Sequence, residues 1–194
     1  MKEMLRYGVI LGVICLAATG LLATVNAVTK TKIADEAEKE LQSSLKEVLP
    51  GASSFEAVKD GDKIAYYKAL DTDNRSAGIA FVASSKGYSS VIETLAGLKP
   101  DGTIAAIKVL RQNETPGLGN RIVEVKSSAT FMALVRGSKP EGSAQPWFQE
   151  QFADKRIGEL GSVQAITGAT ISSRAVIESV RAKAEELQKA ISHE

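Results

Sequence analysis

The sequence predicts an α+β fold preceded by one helix of membrane length. Three observations carry this. An uncharged apolar run lies near the N-terminus. A middle region alternates short apolar–polar segments with turn-forming clusters. A final segment carries helical periodicity. Strands followed by helices argue for an antiparallel sheet with flanking helices. The predicted organisation is 1–29, a flank and membrane helix; 30–51, an amphipathic stalk helix; and 52–194, one folded domain.

Residues Tyr7 to Val28, "YGVILGVICLAATGLLATVNAV", hold no charge. As a helix they span roughly 33 Å, enough to cross a bilayer core. Thr19 and Thr24 can bond back to helix carbonyls, and Asn26 sits near the end of the run. A cleaved signal peptide is the competing reading, with Lys2 and Arg6 in front and Val25-Asn26-Ala27 as a small-residue cleavage site. The length of the uncharged run and the helical pattern behind it favour an uncleaved anchor. Charge does not fix its orientation, because Lys2 and Arg6 precede the run and Lys30 and Lys32 follow it. Cys15 lies inside this run, where burial as an inert thiol is expected.

From Lys30 to Leu49 apolar residues recur every fourth position: Ile33, Ala37, Leu41, Leu45 and Leu49, with Val48 beside them. Pro50-Gly51 stops this helix. The segments "SSFEAVKD" and "KIAYYKALD" flank Gly61-Asp62, a hairpin turn. "AGIAFVASSKG" follows the turn cluster "TDNRS". "SSVIETLAGL" and "TIAAIKVLRQ" flank Lys99-Pro100-Asp101-Gly102, with proline second and glycine fourth in the turn. Four or five antiparallel strands result. Beyond Gln112 the pattern predicts a Gly/Pro loop "NETPGLGNRI", a short helix at "SATFMALVRG", and a last strand at "GSVQAI". An amphipathic helix over Ser172–Ile191 follows, with Val176, Val180, Ala184, Leu187 and Ile191 on one face.

The 194 residues carry a formal net charge of +1, with 24% charged residues of nearly balanced sign. No basic stripe marks a nucleic-acid partner. One cysteine and one histidine give no metal cluster and no Cys/His nucleophile pair. No catalytic acid–base pair stands out, so any redox chemistry has to come from a cofactor.

Two loops can carry it. In "ITGATISS" a hydroxyl before a helix is read locally as an N-cap, with Thr170, Ser172 and Ser173 as candidates. The same helix N-terminus is an anion site, because free N–H groups and the helix dipole both favour negative charge. A phosphate on Thr170 would sit there at little electrostatic cost, with Ser172, Ser173 and Arg174 as further donors. In "ETPGLGNR", Pro116 fixes a dihedral, Gly117 and Gly119 let backbone approach a flat ligand, and Glu114 can accept from a ligand N–H. Alone, this segment reads as a surface loop.

Together, one N-terminal span, "ETPGLG" at 114–119 and "TGATISS" at 167–173 resemble the G subunit of the Rnf electron-transport complex. That protein belongs to the FMN-binding domain family shared with the C subunit of the sodium-pumping NADH:quinone oxidoreductase. The resemblance covers nearly the whole chain. It implies FMN held covalently, as a phosphoester to Thr170, with Thr167, Gly168 and Ala169 shaping the phosphate pocket. It implies that Glu114, Thr115, Pro116, Gly117 and Leu118 lie against the isoalloxazine. Trp147 and Tyr88 are candidates to flank the ring, with a core role favoured for each. It also implies a flavin transferase that reads an Asp three residues before the first threonine, where this chain has Gln164.

The partners implied are the membrane, iron–sulfur and flavin subunits of an assembly coupling ferredoxin:NAD oxidoreduction to ion translocation. Activity would belong to that assembly. The chain would sit in the cytoplasmic membrane with its domain facing the periplasm or exterior. A stand-alone anchored flavoprotein of an extracellular electron-transfer chain is the alternative, and a colourless scaffold module is a third reading.

Overall fold

A computed structural model of the chain describes residues 2–61, 63–125 and 146–191. The helix read at "SATFMALVRG" lies outside them. The chain divides into two compact units, Met1–Gln42 and Ser43–Glu194.

Helix α1 (Lys2–Val48) is continuous. It contains an apolar window of mean hydropathy 2.3, long and apolar enough to cross a membrane by length and composition. Thr19 Oγ1 donates to the Cys15 carbonyl at 2.7 Å and Thr24 Oγ1 to the Gly20 carbonyl at 2.8 Å. Both polar side chains therefore spend their hydroxyl protons on the helix itself, as the sequence suggested. Cys15, expected to be buried, is exposed. Its apolar neighbours belong to a helix surface rather than to a protein core.

The second unit begins with the last turn of α1, where Ser44, Leu45, Val48 and Leu49 are buried. This end lies on one face of the sheet. A Cβ on Gly97 would stand 2.5 Å from the Val48 carbonyl oxygen, so glycine is what lets the helix end reach the strand. Glu47 pairs with Lys108 at 2.5 Å beside it.

Six strands follow: β1 (Ser54–Asp60), β2 (Lys63–Leu70), β3 (Ser76–Lys86), β4 (Val91–Leu98), β5 (Thr103–Arg111) and β6 (Lys155–Arg156). They form one antiparallel sheet in sequential order. Local turn chemistry explains this order. Gly61 takes φ +62 between β1 and β2. The Lys99–Gly102 turn closes with Gly102 N–H to the Lys99 carbonyl at 3.0 Å, and Asp101 accepts from Thr103 N–H at 2.9 Å.

The sequence pattern predicts four or five strands and a last one beyond them; the sheet has six, and the last is elsewhere. "GSVQAI" is no strand. Its start completes a 3-10 turn (Ile157–Ser162), and Val163 and Ile166 are buried from irregular backbone. The two-residue β6 precedes it and pairs with the start of β5.

A short helix α2 (Trp147–Glu150) and the long helix α3 (Thr170–Ile191) cover the other face of the sheet. Val176, Val180, Ala184 and Leu187 are buried against Phe81, Ile92 and Ile107 in one core. The Ile191 side chain lies outside what the structure describes. Phe148 and Phe152 meet edge to face at 5.5 Å, and Trp147 packs on the same core. Helix α3 is fixed to β3 by Ser85 Oγ, which donates to the Ala175 carbonyl at 2.7 Å. Its first turn is thereby held at the end of the sheet where the β3–β4 turn and the loop after β5 emerge.

Candidate functional site: a cleft between two loops

The turn that leads into α3 is built from backbone. Ala169 N–H closes on the Ile166 carbonyl at 2.9 Å, with Gly168 at φ +85 in the third position. That conformation favours glycine. Ser173 N–H then bonds to the Ala169 carbonyl at 2.9 Å, which makes Ala169 the residue before the helix and Thr170 its first residue. Alanine has no side-chain acceptor. The N–H groups of Thr170, Ile171 and Ser172 therefore start the helix without a side-chain cap among the described residues.

The serines expected to serve as caps or ligand donors face inward instead. Ser173 Oγ accepts from Ile166 N–H at 3.1 Å, and Ser172 Oγ donates to Glu114 at 2.6 Å. Thr170 is exposed, and its hydroxyl meets no partner among the described residues.

The opposite wall is the loop after β5, which leads into a 3-10 turn (Gly119–Val123). Leu118 and Asn120 N–H groups both return to the Thr115 carbonyl, at 3.1 and 3.3 Å. Arg121 ties the two walls: its Nη1 donates to the Thr167 carbonyl at 3.0 Å.

Glu114 is the anchor of this wall. The residue is only 5% exposed. Oε1 accepts from Ser89 N–H (3.0 Å), Ser90 N–H (2.9 Å) and Ser90 Oγ (3.1 Å); Oε2 accepts from Tyr88 N–H (3.2 Å) and Ser172 Oγ. Burial pushes its carboxyl up, but the hydrogen bonds from Ser172, Ser90 and Ser89 outweigh that and hold it below the ordinary glutamate range. The sequence suggested an acceptor for a ligand N–H; the structure supplies its oxygens with this chain's own donors. Two glycines make room for the carboxylate. A Cβ would stand 2.5 Å from Oε2 at Gly119 and 2.7 Å from Oε1 at Gly87.

Between the walls lies a cleft of about 320 Å³. Thr115, Leu118 and Gly119 line one side, and Gly168, Ala169 and Thr170 the other. Two motifs remote in sequence thus share one cavity. Tyr88, Ile171 and Ser172 complete the lining. Pro116 and Gly117 sit at the exposed loop apex, outside the lining, and Thr167 contributes its carbonyl to Arg121. The mouth is apolar: Tyr88, Leu118 and Ile171 are 68%, 51% and 55% exposed. Tyr88, expected in the core, stands at this mouth because the β3–β4 turn turns its backbone toward Glu114 and leaves the ring outside. Trp147 keeps the core role.

The 88–90 turn was not singled out from the sequence as part of the site. In the sequence Ser89 and Ser90 start the segment "SSVIETLAGL" and Tyr88 is only a candidate ring neighbour; the turn contributes mainly through backbone N–H groups, which no side-chain pattern marks.

Known proteins with similar sequences bear on what such a cleft holds. The family model of the FMN-binding domain matches residues 87–185, an interval that takes in the 88–90 turn and both loops. The family model of the RnfG N-terminal region matches residues 1–48. The G subunit of the ion-translocating oxidoreductase complex of Methanosarcina acetivorans is 31% identical over 193 residues, covering 92% of each chain. The chain belongs to the RnfG family, the G subunits of ion-translocating oxidoreductase complexes. Within that family, the G subunit of the Na(+)-translocating ferredoxin:NAD(+) oxidoreductase complex of Acetobacterium woodii is 31% identical over 201 residues, covering 92% of this chain and 89% of that one. Among solved structures, NqrC of Shewanella oneidensis aligns with a TM-score of 0.44 and 18% identity, over 69% of this chain and 66% of that one.

The residues of the cleft fit the FMN that the RnfG family's domain implies. A phosphate needs convergent donors, and the uncapped first turn of α3 offers backbone N–H groups on the positive end of a helix dipole. A flat tricyclic ring needs an apolar surface, which Tyr88, Leu118 and Ile171 supply.

Proposed function

We propose that this chain is a membrane-anchored flavoprotein subunit whose FMN is esterified through its phosphate to Thr170 Oγ1. The observation that carries the reading is the Thr170 hydroxyl. It is exposed and unpartnered among the described residues, belongs to the first residue of α3, and lines the cleft beside the uncapped N–H groups. When bound, FMN supplies one- or two-electron transfer. The chain's own residues do the rest. The N–H groups of the first turn offset phosphate charge, Gly168 opens the backbone path beneath it, and Tyr88, Leu118 and Ile171 shield the ring from water. A covalent bond keeps the carrier in place where free flavin would be lost.

The subunit relays electrons in a multi-subunit membrane complex that couples ferredoxin:NAD oxidoreduction to ion translocation. The match of residues 1–48 to the RnfG N-terminal region and the name of the Acetobacterium relative support this over a solitary flavoprotein. Helix α1 anchors the chain in the cytoplasmic membrane, with the cleft on the periplasmic or outer side. The activity belongs to the assembly.

A flavin transferase installs the group. Gln164 stands where its recognition Asp is expected. The Gln164 side chain is exposed, while its backbone is clamped by the Gln151 amide, at 3.0 Å through N–H and 3.4 Å through C=O. The position is thus ordered and open to an approaching enzyme.

The test is a denaturing gel viewed under ultraviolet light. Wild-type chain co-expressed with the transferase fluoresces and Thr170→Ala is dark. A Thr170→Ala band as bright as wild type would overturn the attachment site.

A further inference from the structure

We propose that Glu114 is a positioning residue that clamps the cleft: its buried carboxylate fixes the first turn of α3 against the 88–90 turn and places a permanent negative charge behind the flavin-facing wall. The inference rests on the flavin reading for its consequence, but its geometry belongs to the chain alone.

Three separate segments end on this one side chain. Tyr88, Ser89 and Ser90 donate from the β3–β4 turn, Ser172 donates from α3, and Glu114 itself rides on the loop after β5. All five donors point at the carboxyl oxygens. Three of them are backbone N–H groups, which can only donate and which reach both oxygens, the pattern a carboxylate satisfies best. Such charge-assisted bonds are the strong class.

The surrounding backbone is shaped for the same group. Gly87 and Gly119 both pass so close to its oxygens that a Cβ would overlap them. Among the described residues no cation lies within salt-bridge distance of Glu114, and the groups that meet its charge are N–H and O–H dipoles. Arg121, the cation tied to the far wall, spends its guanidinium on Thr167 and Glu124.

Two consequences follow. Ser172 and Thr170 share the first turn of α3, so the bond from Ser172 to Glu114 sets where the Thr170 hydroxyl stands. A carboxylate held beside the cleft also disfavours adding electrons to a bound flavin, because the added charge is of like sign. Glu114 holds the flavin potential down without touching the ring.

The test uses the full chain in detergent, with and without the transferase. In the unmodified chain, amide hydrogen exchange at residues 88–90 and at the first bonded amides of α3, residues 173–176, is expected to speed up about tenfold or more in Glu114→Gln and in Ser172→Ala. That is the loss expected for a charge-assisted bond. The core strands should stay at wild-type rates. In the flavinylated chain, Glu114→Gln raises the midpoint potential, while Glu114→Asp, which keeps the charge, leaves it near wild type. A purely structural residue would not separate the two variants this way.

If Glu114→Gln does not fold, Ser172→Ala and Glu114→Asp decide. Exchange at 173–176 unchanged in Ser172→Ala would overturn the clamp, and a Glu114→Asp potential away from wild type would overturn the fixed-charge role. A wild-type chain that takes no flavin would sink the proposed function while leaving the exchange result standing. A flavinylated Glu114→Gln with wild-type exchange and potential would sink this inference alone.

Discussion

The two walls of the cleft are built in opposite ways. On the wall after β5 the polar side chains engage one another: Glu114 accepts five bonds, Gln112 and Asn120 hold each other, and Asn113 N–H reaches Ser90 Oγ at 2.8 Å. On the α3 wall the inward serines are engaged, but Thr170 and the first-turn N–H groups are left open. Water can meet such open donors, and a phosphate at the same helix start can replace it. The contrast separates scaffold from reactive surface: one wall spends its polarity on itself, and the other holds it back.

Breaking the scaffold wall should cost the most. Gly119→Ala forces a Cβ into the Glu114 carboxylate and Ser172 hydroxyl. The expected loss is about 1–3 kcal/mol of unfolding free energy by denaturant titration, as for overpacking at a well-filled site. Gly168→Ala tests the other wall. Its Cβ would meet only Leu118, at 3.6 Å, so the cost is that of a left-handed alanine, roughly 1–2 kcal/mol. A larger effect at Gly168 than at Gly119 would reverse the assignment of which wall carries the fold.

Acid sharpens the same comparison. The Glu114 carboxyl in the native state sits below the ordinary glutamate range, so the native state binds fewer protons there than the unfolded chain. That stabilisation is full above the ordinary glutamate range and is lost as pH falls through it toward the native value. The stability gap between wild type and Ser172→Ala, followed by thermal melts, should therefore be widest near neutral pH and narrow in acid. A gap independent of pH would mean Ser172 acts by packing alone.

The smallest effect lies away from the cleft. Thr94 Oγ1 is buried in β4 and meets no hydrogen-bond partner among the described residues. Thr94→Val keeps the shape and removes an unsatisfied group. It is expected to stabilise the domain by about 1 kcal/mol in the same titration, with no change at the cleft.

Much of this fold is legible because its signals are local. Lys99-Pro100-Asp101-Gly102 announces one hairpin, Gly61 another, and the spacing of Val176, Val180, Ala184 and Leu187 gives α3 its buried face. The strand β6 is not legible. Two residues carry no alternation, and the partner at Thr103 lies far away in sequence. "GSVQAI" misleads for the opposite reason: its apolar Val163 and Ile166 suggest a strand, yet they are three apart and are buried from irregular backbone. Both loops of the site can be read from their residue types. Their meeting in one cleft depends on the sheet order. The roles of Glu114 and Tyr88 depend on backbone N–H groups of residues 88–90, which exist in any sequence and point at Glu114 only in this fold.

The reactive wall makes the central claim, and intact mass spectrometry of the full chain co-expressed with a flavin transferase tests it most directly. The account predicts the bare chain plus one FMN less one water, with the added mass on the peptide carrying Thr170 and absent from Thr170→Ala. A wild-type chain at its bare mass, or the added mass on a different residue, would contradict it.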